Sequence, residues 1–361
     1  MSTAQVVRSG ISLDQLERVL ARLLVAIGMR EADARVVAWV YGVMTGRGIG
    51  HHDVGGFPGL LSRLEKGTLE VRPRIRVVKE YAAVAVMDGG NAPGPLAAYR
   101  MMEKAVSKAN RYGIGMAAMR NSSHFLGAAP YALYAAQRGM IGICASNTIP
   151  TMGTGASADR AIGNNPWGFA CPGPGYPLLL DICNAYASYG KLHQYAARGW
   201  PIPETWGIDG QGKPTTDPKK VLEGGVPLPM AGHKGFGISI LVELLTAVLS
   251  GGSITDEILT ERSCGDNFSQ MALAVDIRRF CPPGRFRRDL RDMVTRLKEH
   301  PLLDPGRPTV MPGERSHQAR ERMKKDGVVL DERTVQQLNE WCSRLGVGNR
   351  SGAAHRERQA P

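Results

Sequence analysis

Hydrophobic residues recur at helical spacing near the start of the chain and again near its end. Ser12 and Gln15 have the spacing of a capping box, and the apolar stripe that begins at Leu13 predicts the first helix. Further helices are predicted over 31–45 and 332–345. Because each of these segments carries an apolar side that needs a partner, we expect the helices of the two termini to pack together.

Between the termini the pattern changes to strands that alternate with helices. Strands are predicted at 75–78, 82–88, 113–119, 140–146, 177–183 and 272–280. Helices are predicted at 95–111, 129–138, 233–252, 289–300 and within 312–327. Segments rich in Gly and Pro predict loops at 46–59, 147–177 and 199–232. This alternation is typical of a mixed α/β fold.

The element order predicts two domains. A helical domain combines residues 1–74 with 286–348, a sheet domain over 75–285 is inserted between them, and 349–361 form a disordered tail.

Composition narrows the class of protein. Hydrophobic residues make up 43% of the 361 residues, which is enough for a core, and no apolar run is long enough to span a membrane. The first residues lack the pattern of a signal peptide. The six cysteines contain no CxxC pair, so we expect neither a disulfide framework nor a structural zinc site, and a reducing cytoplasm fits best.

The net charge of +12 raises the possibility of a nucleic-acid partner. Most of the excess lies after residue 278, where arginines alternate with acids rather than forming a block. Aromatic residues are only 6% and do not interleave with the basic ones. We therefore expect no nucleic-acid partner, because a basic surface equally attracts anionic metabolites and cofactor phosphates.

Histidines stand at two positions suited to proton transfer. His51 and His52 lie in the glycine-rich loop 46–59, and His124 lies between a strand end and a helix start. Imidazole titrates near neutral pH and can donate or accept a proton there. The alternatives are solvated loop histidines and a histidine that only bonds backbone. Adjacent residues rarely chelate one ion, so we expect no metal.

Two other segments carry chemistry. Asp181 ends an apolar strand, where it either pairs with a histidine or caps a helix formed by the segment that follows it. The segment 232–235 (GHKG) opens a helix and suits an anionic phosphate, although its glycines also fit close helix packing. Gly153 and Gly155 do not complete a dinucleotide fingerprint, so a nicotinamide enzyme built on this chain would not have a Rossmann fold.

Several motifs in order resemble the malate/L-lactate dehydrogenase family of non-Rossmann oxidoreductases. They are NSSHFLGAAPYALYAAQRGMIGICASNT, GNNPWGFACP, GKPTTDP, GHKGFGISILVELL and the late PGE at 312–314. The resemblance covers about 10–348. It implies a sulfolactate-dehydrogenase-like fold, a homodimer, and hydride transfer between NAD or NADP and a small 2-oxo acid, 2-hydroxy acid or cyclic imine.

The resemblance also implies residue roles. His52 and His124 match the two histidines proposed as proton donors, and Asp181 matches an aspartate that contacts the cofactor and steadies a histidine. Further positions match cofactor contacts: Thr148, Ile182, Cys183, Asn184, His233, Lys234, Gly313 and Glu314.

The chain departs from the family pattern around its first histidine. The family serine is His51 here, the glycine after the histidine is Asp53, and the arginine that clamps a substrate carboxylate is Gly56. Arg47 or a protonated His51 then becomes the candidate substrate contact. The alternative is a nucleotide-binding family member with a different substrate or none.

Overall fold

The computed structural model describes residues 6–50, 52–259 and 267–348, so the tail predicted at 349–361 and His51 lie outside the described residues. The α-helices are α1 (Leu13–Ala26), α2 (Glu31–Gly46), α3 (Phe57–Glu65), α4 (Gly94–Tyr112), α5 (Ala129–Ala136), α6 (Tyr189–Arg198), α7 (Pro218–Leu222), α8 (His233–Glu243), α9 (Pro283–Glu299), α10 (Glu314–Asp326) and α11 (Glu332–Arg344). The strands are β1 (Arg76–Tyr81), β2 (Val84–Ala92), β3 (Ile114–Ser122), β4 (Met140–Ser146), β5 (Trp167–Cys171), β6 (Leu178–Ile182), β7 (Gly207–Ile208), β8 (Val226–Pro227) and β9 (Phe268–Asp276).

Seven strands form one mixed sheet in the order β1-β2-β3-β9-β4-β5-β6. Strands β2 and β3 are parallel, and the other neighbouring pairs of this sheet are antiparallel. A Rossmann sheet is mostly parallel, so this topology is a different one. The predicted mixed α/β fold is confirmed.

Helices cover both faces of the sheet. The alternation of β3 sends Ala117 and Met119 into the large core that includes α4 and α5, whereas Met116 packs against Val242 of α8 on the opposite face. Helix α4 approaches β3 closely at Gly115, where a Cβ atom would collide with the carbonyl oxygen of Ala105. The sheet is therefore the middle layer of three.

The two ends of the chain meet. Ile11 forms a β-bridge with Val328, and the side-chain oxygen of Asn339 in α11 accepts hydrogen bonds from the backbone N–H groups of Val6 and Val7. The buried side chains of these terminal helices belong to the same cluster as those of α4 and α5. The core is thus continuous across residue 75, and the two-domain division stays a prediction.

Helix α9 packs against the sheet. Val294 of α9 is buried with Cys171 and Leu178 of strands β5 and β6. The amphipathic face of α9 thus covers the end of the sheet, and the grouping of 286–348 with the N-terminal helices stays a prediction.

Some elements differ from the sequence prediction. Strand β5 and helix α6 were not predicted; β5 is short and lies in a segment rich in Gly and Pro, where local signals favour loops. Helix α3 begins inside the predicted loop 46–59, with Pro58 in its first turn. The predicted helix 233–252 continues beyond α8 as a π-helical turn, Leu244–Val248.

Candidate active site

The loop that carries His52 begins where α2 ends. Thr45, near the end of α2, accepts through its hydroxyl a hydrogen bond of 3.1 Å from the backbone N–H of Val54, which closes the base of the loop. Asp53 accepts a bond of 2.9 Å from the backbone N–H of Gly55 and caps a short 3₁₀ turn. The carboxylate that departs from the family pattern is therefore used within the loop itself.

His124 follows β3 in a turn with unusual backbone geometry. Its Nδ1 accepts a hydrogen bond of 3.3 Å from the backbone N–H of Leu126, whose φ of 73° lies in the left-handed region. A neutral imidazole that accepts at Nδ1 carries its proton on Nε2. The neighbouring Ser123 accepts through its hydroxyl a hydrogen bond of 2.8 Å from the backbone N–H of Gly94 at the start of α4.

The two imidazoles lie together although they are distant in the sequence. The ring centroids of His52 and His124 are 5.0 Å apart, with an interplanar angle of 66°. The ring of Phe268 in β9 also lies near His124, with a centroid distance of 6.4 Å. Both rings line a cavity of about 460 Å³.

Asp181 lies at the same cavity, near the end of β6. Its two carboxylate oxygens accept hydrogen bonds from the backbone N–H groups of Ala128 and Ala129, at 3.1 and 3.2 Å. The guanidinium of Arg47 lies 3.4 Å from Oδ2, and both side chains are only 9% exposed. Asp181 thus caps a helix, as one of the two alternatives stated, although the helix is α5 rather than the segment that follows it.

Arg47 lies behind the cavity wall rather than among the residues that line it. Burial lowers the pKa of its guanidinium, and the carboxylate of Asp181 opposes that shift. Its Nε and Nη1 atoms are buried without a hydrogen-bond partner.

The cofactor contacts implied by the resemblance cluster around the end of β6. Ile182, Cys183 and Thr148 line the cavity. Thr148 donates its backbone N–H to the side-chain oxygen of Asn165 at 3.0 Å, and the side-chain N–H of Asn184 donates to the carbonyl oxygen of Asn165 at 2.7 Å. Two separate stretches of the chain are thereby fixed side by side.

The start of α8 is joined to the same region. The carbonyl oxygen of Asn184 accepts a hydrogen bond of 2.7 Å from the backbone N–H of Met230. A Cβ atom at Gly235 would lie 2.5 Å from that carbonyl oxygen, so only glycine allows α8 to begin here. His233 and Lys234 are exposed at this helix start.

The PGE segment lies farther along β6. The backbone N–H of Leu179 donates to the carbonyl oxygen of Pro312 at 3.1 Å, and Gly313 packs against the same strand with a φ of 90°. Glu314 forms an ion pair of 2.8 Å with Lys298, whose hydrogen bond lowers the pKa of the Glu314 carboxyl. These residues flank the strand but are not among those that line the cavity.

One wall of the cavity was missed in the sequence. The run Ala185–Lys191 lines it, and Ser188 caps α6 by accepting from the backbone N–H of Lys191 at 3.2 Å. A serine at the start and Gly199 at the end of α6 are recognisable helix signals that would have predicted this element. Helix α6 also contacts the histidine loop, because Gln194 donates to the carbonyl oxygen of Gly50 at 2.9 Å.

The remaining titratable groups of the cavity are uncharged or cationic. Burial raises the pKa of the Cys183 thiol and of the Tyr189 hydroxyl, so both stay protonated at neutral pH. Lys191 lies within 5.0 Å of the ring centre of Trp206. Since Arg47 balances the charge of Asp181, the cavity favours an anion.

None of the helices in the described part of the chain has the length and apolar character needed to cross a membrane. Within 6–50, 52–259 and 267–348, no group of three or more His, Cys, Asp or Glu side chains is placed to hold a metal ion.

Comparisons with known proteins agree with this architecture. The model of the malate/L-lactate dehydrogenase family matches residues 11–339. A malate dehydrogenase of Pyrococcus abyssi is 32% identical over 93% of this chain and 95% of its own length. An L-sulfolactate dehydrogenase of Methanocaldococcus jannaschii is 33% identical over 92% of this chain and 96% of its own length.

A solved structure gives the same result. The crystal structure of malate dehydrogenase from Entamoeba histolytica superposes with a TM-score of 0.90 at 26% identity, covering 94% of this chain and 98% of that one. The match of fold, of length and of the family model leads to one conclusion: the chain belongs to the malate/L-lactate dehydrogenase family, whose members are oxidoreductases.

Proposed function

We propose that this enzyme transfers a hydride between NAD or NADP and a small anionic 2-oxo acid, 2-hydroxy acid or cyclic imine. The observation that carries the proposal is the contact of two imidazole rings, 5.0 Å apart, at a cavity of about 460 Å³. The cavity is of the size that small-molecule sites have. Relatives named malate dehydrogenase and Δ1-pyrroline-2-carboxylate/Δ1-piperideine-2-carboxylate reductase support the same substrate range.

The residues around the end of β6 fit a nicotinamide dinucleotide. The start of α8 offers backbone N–H groups and the exposed Lys234 to a pyrophosphate, and Gly235 brings that start against Asn184. Thr148 and Ile182 would contact the cofactor where they line the cavity. When bound, the cofactor supplies or accepts the hydride.

The histidines would move the accompanying proton. In the direction of reduction, His124 would donate from Nε2, because its Nδ1 accepts a hydrogen bond from the backbone N–H of Leu126. His52, in edge contact with that ring, is the second candidate donor. A positioned acid of this kind contributes roughly 10²–10⁴-fold to the rate.

An anionic substrate group needs a partner other than the missing arginine. Gly56 has no side chain to reach the site, and the space beside it is open, since a Cβ atom there would meet nothing within 4 Å. Lys191 lines the cavity at the first turn of α6, where the helix dipole also favours an anion. We therefore favour Lys191 as the substrate's cationic partner over Arg47, which is paired with Asp181; His51 remains a second candidate.

A homodimer is the expected assembly. Ile240, Leu241 and Leu244 of α8 and its π-helical turn are 40–51% exposed, and Val248 and Leu249 continue the same apolar face. An apolar face of this extent is typical of a protein interface, and a second copy of this chain is the partner that the family resemblance implies.

The five described cysteines are free, which supports a cytoplasmic location.

The decisive experiment is oxidation of NADH and of NADPH by the purified enzyme against a panel of 2-oxo acids and cyclic imines. Turnover with at least one anionic substrate supports the proposal and identifies the cofactor. Binding of NADH without turnover of any panel member would instead favour the nucleotide-binding alternative. That alternative is motivated by the altered loop, in which Asp53 and Gly56 depart from the family pattern.

A further inference from the structure

The Arg47–Asp181 pair joins three separate stretches of the chain. Arg47 follows α2, Asp181 belongs to β6, and the carboxylate also accepts from the backbone N–H groups of Ala128 and Ala129 at the start of α5. Both charged side chains are 9% exposed, so water contributes little to their solvation. Removal of Asp181 therefore leaves the Arg47 guanidinium buried without a counter-charge. Removal of Arg47 leaves the Asp181 carboxylate with its two backbone N–H donors and no counter-charge.

Each histidine lies close in sequence to one end of this pair. Arg47 stands five positions before His52, and Ala128 stands four positions after His124. The first loop is closed at its base by Thr45, and the second turn is closed on His124 by Leu126. The Arg47–Asp181 pair holds the backbone beside His52 and the backbone beside His124. We therefore expect it to fix where each imidazole lies.

The packing around the Asp181 carboxylate leaves no space for a side chain at position 127. A Cβ atom at Gly127 would lie 2.7 Å from Oδ2 of Asp181 and 2.9 Å from the terminal methyl carbon of Met44. Glycine at this position lets β6 approach the start of α5 closely enough for both hydrogen bonds. The contact is thus built into three elements at once.

We propose that the Arg47–Asp181 pair is a positioning unit that sets the separation of His52 and His124. Because its two charges cancel, the pair places no net charge beside the imidazoles. This inference rests on the proposed function, because it assigns these two residues a role in the same site. It differs from the role implied by the resemblance, in which Asp181 steadies a histidine directly. Here Asp181 acts on the histidines through Arg47 and through the start of α5.

The charges of the pair give the proposal a signature. Arg47→Met leaves a buried carboxylate near the imidazoles, which favours their charged form and raises their pKa. Asp181→Asn leaves a buried guanidinium, which disfavours the charged form of the imidazoles and lowers their pKa. The double variant restores neutrality. The other titratable groups that line the cavity are Cys183, Tyr186, Tyr189 and Lys191, and all are retained in these variants.

The experiment is a double-mutant cycle with two readouts. Titration of the histidine ring protons by NMR reports the pKa of His52 and His124 without any need for turnover, after assignment with single histidine variants. We expect shifts of opposite sign in the two single variants and a return to the wild-type values in the double variant. If Asp181 contacted a histidine directly, the double variant would keep the lowered pKa and Arg47→Met would change little.

Turnover is the second readout. A displacement of about 1 Å at a reacting group costs roughly 10²-fold, so each single variant should lower kcat by about that factor, with less effect on the Kd of NADH in Arg47→Met. The two losses should not add in the double variant. Arg47→Lys keeps the charge and should retain wild-type histidine pKa values even where kcat falls, which separates charge from geometry.

A second ion pair, in which the arginine also contacts Glu103, serves as the control. Arg100 and Asp33 form an ion pair of 2.8 Å away from the cavity, with Asp33 buried. Arg100→Met and Asp33→Asn should leave the pKa of both histidines and kcat unchanged. Wild-type histidine titration in folded Arg47→Met would overturn the proposal. Absence of turnover in the wild-type enzyme would count against the proposed function alone, because the NMR arm is independent of it.

Discussion

The carboxylate of Glu243, buried in α8, accepts a hydrogen bond of 2.8 Å from the side-chain amide of Asn165. Its other oxygen accepts from the side-chain N–H of Asn147 at 3.3 Å and from the backbone N–H of Thr255 at 3.0 Å. Asn165 in turn accepts from the backbone N–H of Thr148. The exposed apolar helix and the wall of the cavity are thus connected by one buried polar network.

Glu243→Gln should destabilise the protein by roughly 1–3 kcal/mol, because an amide N–H₂ group would then face at least one donor and leave a buried polar group unsatisfied. Urea denaturation measures the change. Glu299→Gln, at the exposed end of α9, is the control and should stay within about 0.5 kcal/mol of the wild type. Equal stability of the two variants would show that the network does not hold α8.

Loss of either imidazole should reduce turnover. We expect His124→Ala and His52→Ala each to lower kcat by roughly 10²–10⁴-fold, since each removes a candidate proton donor. The Kd of NADH, measured by fluorescence titration, should change little. His193→Ala, on the exposed side of α6, should retain full activity. Wild-type kcat in one of the two variants would identify the other histidine as the proton donor.

Much of the fold was accessible from the sequence because its signals are local. The capping box of Ser12 and Gln15 forms as expected, and the strand predicted at 140–146 is β4. Strand β5 was not accessible, because Trp167–Cys171 depends on pairing with β4 and β6 rather than on its own pattern.

The sequence identified individual residues of the site but not the contacts between them. His52 and His124 were identified from their loops and from the family motifs, yet nothing in their local sequence gives the 5.0 Å between their rings. The partner of Asp181 was equally hidden, because Arg47 and the start of α5 reach it only through the tertiary fold. Lys191 was missed although Ser188 signals the start of its helix.

The exposed cation at the start of α8 should matter for cofactor binding. Lys234→Ala should raise the Kd of NADH about tenfold or more, because a charge-assisted contact to a phosphate is lost. The difference from wild type should shrink at high salt, which screens exposed charges. Lys219→Ala, on the exposed part of α7, is the control. A Kd equal to that of the control would remove Lys234 from the cofactor site.

The apolar face of α8 should determine the assembly. Leu241 is 51% exposed at its centre, and Leu241→Asp places a charge where the second copy would bury it. We expect sedimentation to show a dimer for the wild type and a monomer for this variant. Val329→Asp changes an even more exposed apolar residue outside that face and should leave the dimer intact. A wild-type monomer would contradict the assembly directly.

Glu17 of α1 should make the stability of the fold depend on pH near neutrality. Burial raises the pKa of its carboxyl from 4.5 to about 7, while Arg320 opposes the shift and Asp14 adds to it. Glycine at position 42 of α2 leaves the side chain its space, since a Cβ atom there would collide with the carboxyl. The carboxyl thus lies between two helices, where burial favours its neutral form.

The sign of the effect follows from proton binding. Between pH 4.5 and about 7 the folded protein keeps the proton at Glu17, whereas the unfolded chain has released it. The stabilisation from this proton is therefore complete below pH 4.5 and is lost as the pH rises through about 7. Because the side chain is half-buried, screening reduces the loss to roughly 1–2 kcal/mol. Denaturation midpoints of wild type and Glu17→Gln at pH 5 and pH 8 measure it. Relative to the wild type, the variant should be more stable at pH 8 and equally stable at pH 5. An equal stability difference at both pH values would exclude titration of Glu17 as the cause.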